Sequence, residues 1–196
     1  MNKLNQLWRI VTHPRELRLA LSGLGMRLSG DKALGGLTEE EIAGVVRWVK
    51  DSGASVFVEI GTLFGFTAKA VAQQTSAKVR AVDIYCWNPF GLTSEEHERF
   101  TRKVVDGCGV QLVKQDSLEY LKSADLENAL VFLDGDHGYS AVRAELELLK
   151  ARGVRFIAGH DFGNPLFGVT RAVREVIGEP DEVIGMCWYK RDSFKV

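Results

Sequence analysis

The stretch VFLDGDHGYSAV, residues 131–142, ends an apolar run with two carboxylates and an imidazole, Asp134, Asp136 and His137, inside four residues. Charges held that close at a strand tip repel one another and lose hydration, so a ligand, a cation or water has to compensate them. RFIAGHD, residues 155–161, ends the same way with His160 and Asp161.

A second group lies earlier in the chain. EIGTLFGFT, Glu59 to Thr67, carries Gly61 for a tight turn after an apolar run and Gly65 for close approach at a helix start. No Lys-Ser/Thr follows the glycines, so this is not a triphosphate-binding P-loop. Position 63 is Leu, and Glu59 would repel a pyrophosphate, so the dinucleotide fingerprint is absent as well. A carboxylate beside the loop suits a cation instead, an ammonium or a sulfonium. Asp83 follows Gly65 by 18 residues and ends the next apolar run, the arrangement in which an acid accepts both ribose hydroxyls. Glycine loop, ribose acid and cationic tail together describe S-adenosylmethionine.

The elements that must carry these groups can be read from periodicity. LTEEEIAGVVRWVKDSG reads as a helix with Thr38 as N-cap, Glu41 completing a capping box and Gly53 past the end. Apolar runs at 56–61, 79–84, 110–116, 129–134 and 155–161 then alternate with helical patterns at about 66–74, 93–105, 118–123, 141–151 and 169–178. Five strands separated by helices predict an α/β fold: a Rossmann-like, doubly wound, mainly parallel sheet with helices on both faces. EVIGMCWYKR, 182–191, adds one strand or a tight antiparallel pair as a short antiparallel edge, with little length for two. Residues 1–37 read as a helical lead-in and 38–196 as one compact domain. In such sheets ligands bind beyond the carboxyl ends of the strands, where Glu59, Asp83, Asp116, Asp134 and Asp161 gather.

Composition bounds the rest. The 196 residues are 45% hydrophobic and 26% charged, enough for one core. With 25 basic and 26 acidic side chains, no overall field favours nucleic acid or an anionic membrane. Three separated cysteines, Cys86, Cys108 and Cys187, point to neither a disulfide framework nor a zinc knuckle, and fit a reducing cytoplasm. The N-terminus lacks a signal-peptide core and no run reaches membrane-spanning length.

VFVEIGTLFGFTAKAV, VRAVDIY and VKQDSLEYL resemble the successive cofactor motifs of class I S-adenosylmethionine-dependent methyltransferases, over roughly residues 40–190. The resemblance implies that Glu59, Gly61 and Gly65 hold the methionine end, with Thr62 and Thr67 as hydrogen-bond donors. It puts Asp83 at the ribose, and Asp116 with Ser117 at the adenine edge; Ser117 as an ordinary helix N-cap is the alternative. LVFLDGDHGYSAVRAELELL, RFIAGHDF and GVTRAVREV resemble a subgroup, the family 24-like small-molecule O-methyltransferases that hold a divalent cation. There an acid ends strand four, two adjacent ligands end strand five, and a His three residues after the first acid is the general base. By that resemblance Asp134, His160 and Asp161 hold magnesium or manganese, His137 is the base, and Asp134 also borders the cofactor. His160 departs from the pattern, which has an acid or amide there; imidazole suits manganese, iron or zinc better than magnesium. His160 as a satisfied, partly buried side chain is the bland account, as is His137 as a loop residue and Asp136 as a solvent-facing or capping group.

YCWNPFG, 85–91, could floor the adenine site, close over an aromatic acceptor or pack on its own sheet. Trp8, Trp48 and Trp188 read as core or interface residues. The leading expectation is methyl transfer to a hydroxyl of a small molecule, with no nucleic acid or membrane partner and with a homodimer as one way to complete the acceptor pocket. The alternatives are N- or C-methylation without metal, and a non-catalytic cofactor-binding protein of the same fold.

Overall fold

A computed structural model describes residues 36–87 and 91–192. The elements run α1 (Glu39–Ser52), β1 (Val56–Ile60), α2 (Phe66–Gln74), β2 (Lys78–Asp83), α3 (Ser94–Val105), β3 (Gln111–Lys114), α4 (Ser117–Ser123), β4 (Ala129–Leu133), α5 (Tyr139–Ala151), β5 (Phe156–Gly159), α6 (Val169–Ile177), β6 (Glu182–Ile184) and β7 (Cys187–Arg191). The helical lead-in expected over 1–37, and Trp8 with it, falls almost wholly outside the described residues.

One seven-stranded sheet has the order β3-β2-β1-β4-β5-β7-β6. β1 to β5 are parallel neighbours, and β7 alone runs antiparallel, to β5 on one side and β6 on the other. The C-terminal segment is therefore the tight pair and not one strand. Gly185, at φ 59°, permits a two-residue connection that leaves three residues for β6.

Alternation along the strands divides the core. Val56, Val58, Ile60, Val131, Leu133 and Ile157 face a layer containing α4, α5 and α6, built on Leu121, Leu146 and Val173. Phe57, Leu130, Phe132, Phe156 and Ala158 face the other layer, built on Val45, Trp48 and Val49 of α1 and Ala68 and Val71 of α2. Burial on both faces makes the central strands apolar throughout except at Glu59 of β1, which is why they read as apolar runs in the sequence. The chain order reverses between β1 and β4, and the crevice at that switch point is where ligands of such sheets bind. Trp48 and Trp188 are core residues, at 1% and 0% exposure. No helix among the described residues is long and apolar enough to cross a membrane.

Candidate active site at the switch point

The glycine loop is held from three sides. Gly61 has φ 83°, and a β-carbon there would collide with the backbone of Asp134, so glycine is required by both conformation and contact. Its N–H donates to the Val82 carbonyl, 2.9 Å, while Asp134 N–H donates to Ile60 O, 2.8 Å, tying together the ends of β1, β2 and β4. Gly65 is the N-cap of α2 at φ 77°. Leu63, at φ 50°, lies in the left-handed region that disfavours leucine. Its N–H donates to Asp83 Oδ2, 2.8 Å, and its carbonyl accepts from Thr101 Oγ1, 2.7 Å, and from His97 Nε2, 2.9 Å. His97 and Thr101 on α3 escaped the sequence reading, because nothing in their spacing connects them to a loop more than thirty residues earlier.

Glu59 is 2% exposed and lies beneath this loop, accepting from the Thr62 hydroxyl and from the Ala68 N–H. Burial pushes its carboxyl up to about 8, with Asp134 and Asp83 adding repulsion and the Thr62 bond opposing. Thr62 and Thr67 are each 5% exposed. Asp83 Oδ1 accepts the Tyr85 N–H, 2.6 Å, so each carboxylate oxygen takes one backbone donor and keeps capacity for a hydroxyl. The set fits an adenosyl sulfonium: a close-approach loop, a buried acid beneath it and an acid one strand away.

At the third strand end, Asp116 and not Ser117 is the N-cap of α4, with Oδ1 accepting Glu119 N–H at 3.1 Å. Ser117 hydrogen-bonds Glu145, a 2% exposed carboxyl that burial pushes up to about 7. Tyr85 is buried, Trp87 is 58% exposed, and residues 88–90 of the aromatic loop lie outside the described residues.

The ends of β4 and β5 converge on the carboxylate–imidazole cluster. Asp161, 5% exposed and at φ 60°, turns Oδ2 toward both imidazoles, 3.2 Å from His137 Nδ1 and 3.3 Å from His160 Nδ1. Asp134 Oδ1 is 3.5 Å from the same His160 nitrogen. Asn164 Nδ2 donates to Asp161 Oδ1, 2.9 Å. Burial opposes charge on His160, but Asp134, Asp161 and Glu41 outweigh it and hold the ring protonated to about 11. Burial raises the Asp134 carboxyl. Burial acts in the same sense on Asp161, yet the bonds from His160 and Asn164 hold it below the usual range.

His137 reaches this cluster from the turn before α5, about a third exposed, with its ring 4.7 Å from that of Phe167. Its carbonyl accepts Gly168 N–H, 2.9 Å, fastening the β4 and β5 loops to each other. Asp136 is exposed and accepts Gly138 N–H, 2.7 Å, so it shapes the turn and does not cap the helix; Gly138 occupies the cap.

Asp134, His137 and Asp161 each present a ligand atom within 4.8 Å of the others. Within this group His137 Nδ1 lies 3.2 Å from Asp161 Oδ2, a separation that matches donors placed about 2 Å from one cation. The Asp134 and Asp161 carboxylates in it are oxygen donors of the kind a divalent ion takes. Glu41 and Phe167 were not predicted as site residues; the first is 2% exposed on α1, the second 41% exposed in the loop after β5.

A methyltransferase-domain family model matches residues 58–161, which span the glycine loop through Asp161. No curated protein matches the sequence. Among solved structures, an O-methyltransferase from Bacillus cereus in complex with S-adenosylhomocysteine is 16% identical with TM-score 0.55, covering 83% of this chain and 76% of its own. An RNA methyltransferase from Salinibacter ruber with S-adenosylhomocysteine is 18% identical, TM-score 0.51, covering 78% and 93%. An S-adenosylhomocysteine-bound methyltransferase from Podospora anserina is 15% identical, TM-score 0.52, covering 74% and 62%. At these identities the likeness is one of fold.

Proposed function

Because the chain belongs to the methyltransferase-domain family, we propose that it transfers the methyl group of S-adenosylmethionine to a hydroxyl of a small molecule, with His137 as general base and a divalent cation held by Asp134 and Asp161 beside His160. One observation carries the reading: two carboxylates and two imidazoles meet within 3.2–3.5 Å contacts at the ends of β4 and β5, next to the glycine loop.

The cofactor supplies an electrophilic methyl on a sulfonium, and a bound cation lowers the pKa of a hydroxyl it touches. The chain's own residues do the rest. Asp161 Oδ2, 3.2 Å from Nδ1, favours a proton on that nitrogen of His137 and leaves Nε2 as the acceptor for the hydroxyl proton. Gly61 and Leu63, locked by Val82 and Asp83, give the loop a fixed shape for the cofactor, so orientation is built in before the acceptor arrives. Asp83 retains acceptor capacity for the ribose hydroxyls.

A metal-free variant of the same reaction is favoured by one feature. His160, held as an imidazolium between Asp134 and Asp161, neutralises the two acids that a cation would otherwise neutralise. Calorimetric titration of chelator-treated protein with S-adenosylhomocysteine, with and without Mn²⁺, tests both. Micromolar binding is expected; its absence under both conditions sinks the methyltransferase reading. Methyl transfer to a panel of hydroxyl compounds then separates the routes: inhibition by chelator, restored by Mn²⁺, is expected, and indifference to chelator selects the metal-free variant.

A further inference from the structure

Glu41 is in the wrong environment for a helix cap alone. Its Oε2 completes the capping box of α1, accepting from Thr38 N–H at 2.7 Å and Thr38 Oγ1 at 2.9 Å. Glu96 completes the same box at α3 but is only partly buried, as capping carboxylates can be. Glu41 is 2% exposed, and burying a carboxylate costs free energy that a surface cap avoids.

The other oxygen accounts for the burial. Oε1 accepts the Met186 N–H, 2.9 Å, and lies 3.5 Å from His160 Nε2. A β-carbon on Gly185 would crowd the same carboxylate, so the β6–β7 turn is shaped around it. From Glu41 two routes lead to Asp161. One is the His160 ring, whose Nε2 faces Glu41 while Nδ1 faces Asp134 and Asp161. The other is the Met186 backbone, whose N–H goes to Glu41 and whose carbonyl accepts Phe162 N–H, 2.9 Å, one residue past Asp161. Asp161 sits at φ 60°, a conformation that persists in a non-glycine residue only where its surroundings fix it.

We propose that Glu41 is a positioning residue for the methyl-transfer site: its carboxylate, hydrogen-bonded to the Met186 N–H and facing the buried His160 Nε2 at 3.5 Å as a charge contact, sets the orientation of the Asp134–Asp161 pair and, through Asp161, of His137. This rests on the function proposed above for the cluster but concerns its geometry. The contacts form a continuous line, Glu41–His160–Asp161–His137, with steps of 3.5, 3.3 and 3.2 Å from α1 to the surface of the site. Outer-shell partners of ligand groups commonly alter metal affinity 10–100-fold when removed, by releasing the ligands they orient.

The test uses the full chain, two test variants and two assignment variants. Thr38→Ala weakens the cap of α1 without touching His160; Glu41→Gln keeps the shape but removes the charge facing the ring. The readouts are the slowly exchanging imidazole N–H signals of ¹⁵N-labelled protein, assigned with His160→Gln and His137→Gln, and the Mn²⁺ dissociation constant. In Thr38→Ala the wild-type His160 and His137 signals are expected to persist, with Mn²⁺ affinity within twofold. In Glu41→Gln the His160 Nε2 signal is expected to vanish, the His137 signal to shift, and Mn²⁺ affinity to fall roughly 10–100-fold where the wild type binds it. His160 and His137 signals in Glu41→Gln that match those of Thr38→Ala overturn the proposal. Absence of S-adenosylhomocysteine binding by the wild type would overturn the functional reading and leave the imidazole signals to decide the role of Glu41.

Discussion

His137 has two nitrogens with unlike surroundings. Nδ1 lies 3.2 Å from Asp161 Oδ2 and the ring packs tilted on Phe167, which in the proposed reaction leaves Nε2 to take the proton. Removing a positioned base lowers turnover by roughly 10²–10⁴-fold, whereas the glycine loop and Asp83 are untouched. His137→Ala is therefore expected to lose methyl transfer by that factor, measured with radiolabelled S-adenosylmethionine, while its S-adenosylhomocysteine affinity stays within about threefold. Turnover within tenfold of wild type would remove His137 from the role of base. Phe167→Ala tests the packing separately: it frees the ring but leaves Asp161 in place. A rise in KM for the acceptor with a smaller fall in kcat is the expected result, and a variant indistinguishable from wild type would show that the Phe167 contact is incidental.

The elements around the site explain why its parts differ in tolerance to change. Gly61 and Gly53 both have positive φ, 83° and 67°, but a β-carbon at Gly53 meets nothing within 4 Å, whereas at Gly61 it runs into the Asp134 backbone. Gly53→Ala is expected to cost about 1 kcal/mol for the left-handed conformation alone. Gly61→Ala adds a steric clash that pushes β1 and β4 apart at their tips, so a loss of several kcal/mol and of measurable S-adenosylhomocysteine binding is expected, read by thermal melting and calorimetry. Equal effects of the two substitutions would mean that the β1–β4 junction yields more easily than its contacts indicate.

The same contrast marks what the sequence could reveal. Strands β1, β4 and β5 were legible because burial on both faces makes them apolar but for Glu59, and the caps Thr38 and Gly53 were legible because capping is local. The acids at the strand ends were legible from the switch-point rule. Glu41 was legible only as a cap, since its second role depends on α1 packing over the end of β5, a contact between segments far apart in the chain. The two-residue alternation from Phe156 and Ala158 does place His160 on the face that α1 covers, but which helix covers which face is a tertiary fact. The β6–β7 pair was doubtful for a different reason: three residues of β6 carry too little periodicity to be told from a turn.

For the whole molecule, the buried acids set a pH dependence whose sign can be worked out. Glu59 titrates near 4.5 when unfolded and at about 8 in the fold, because burial disfavours its charge. Between those values the folded chain holds a proton that the unfolded chain has lost, so the contribution of Glu59 falls as pH rises through the window and is constant above it. Glu145, from 4.5 to about 7, acts in the same sense over a narrower range. The opposing groups act lower: Asp161, held below its usual range, contributes stability that is present above about pH 4 and lost on acidification. The ligand-free protein should therefore melt highest on the acid side of neutrality and lose stability toward pH 8. Glu59→Gln keeps the size and removes the ionisation, so it is expected to flatten that decline by an amount on the order of a few kcal/mol, roughly 5–10 °C in Tm for a chain of this size. At pH 5, where Glu59 in the fold is already protonated, the variant and wild type should melt within a few degrees of each other. Melting curves at pH 5, 6.5 and 8 decide it, because parallel wild-type and Glu59→Gln profiles would mean that the carboxylate is ionised beneath the glycine loop throughout and that the loop is stabilised by its charge.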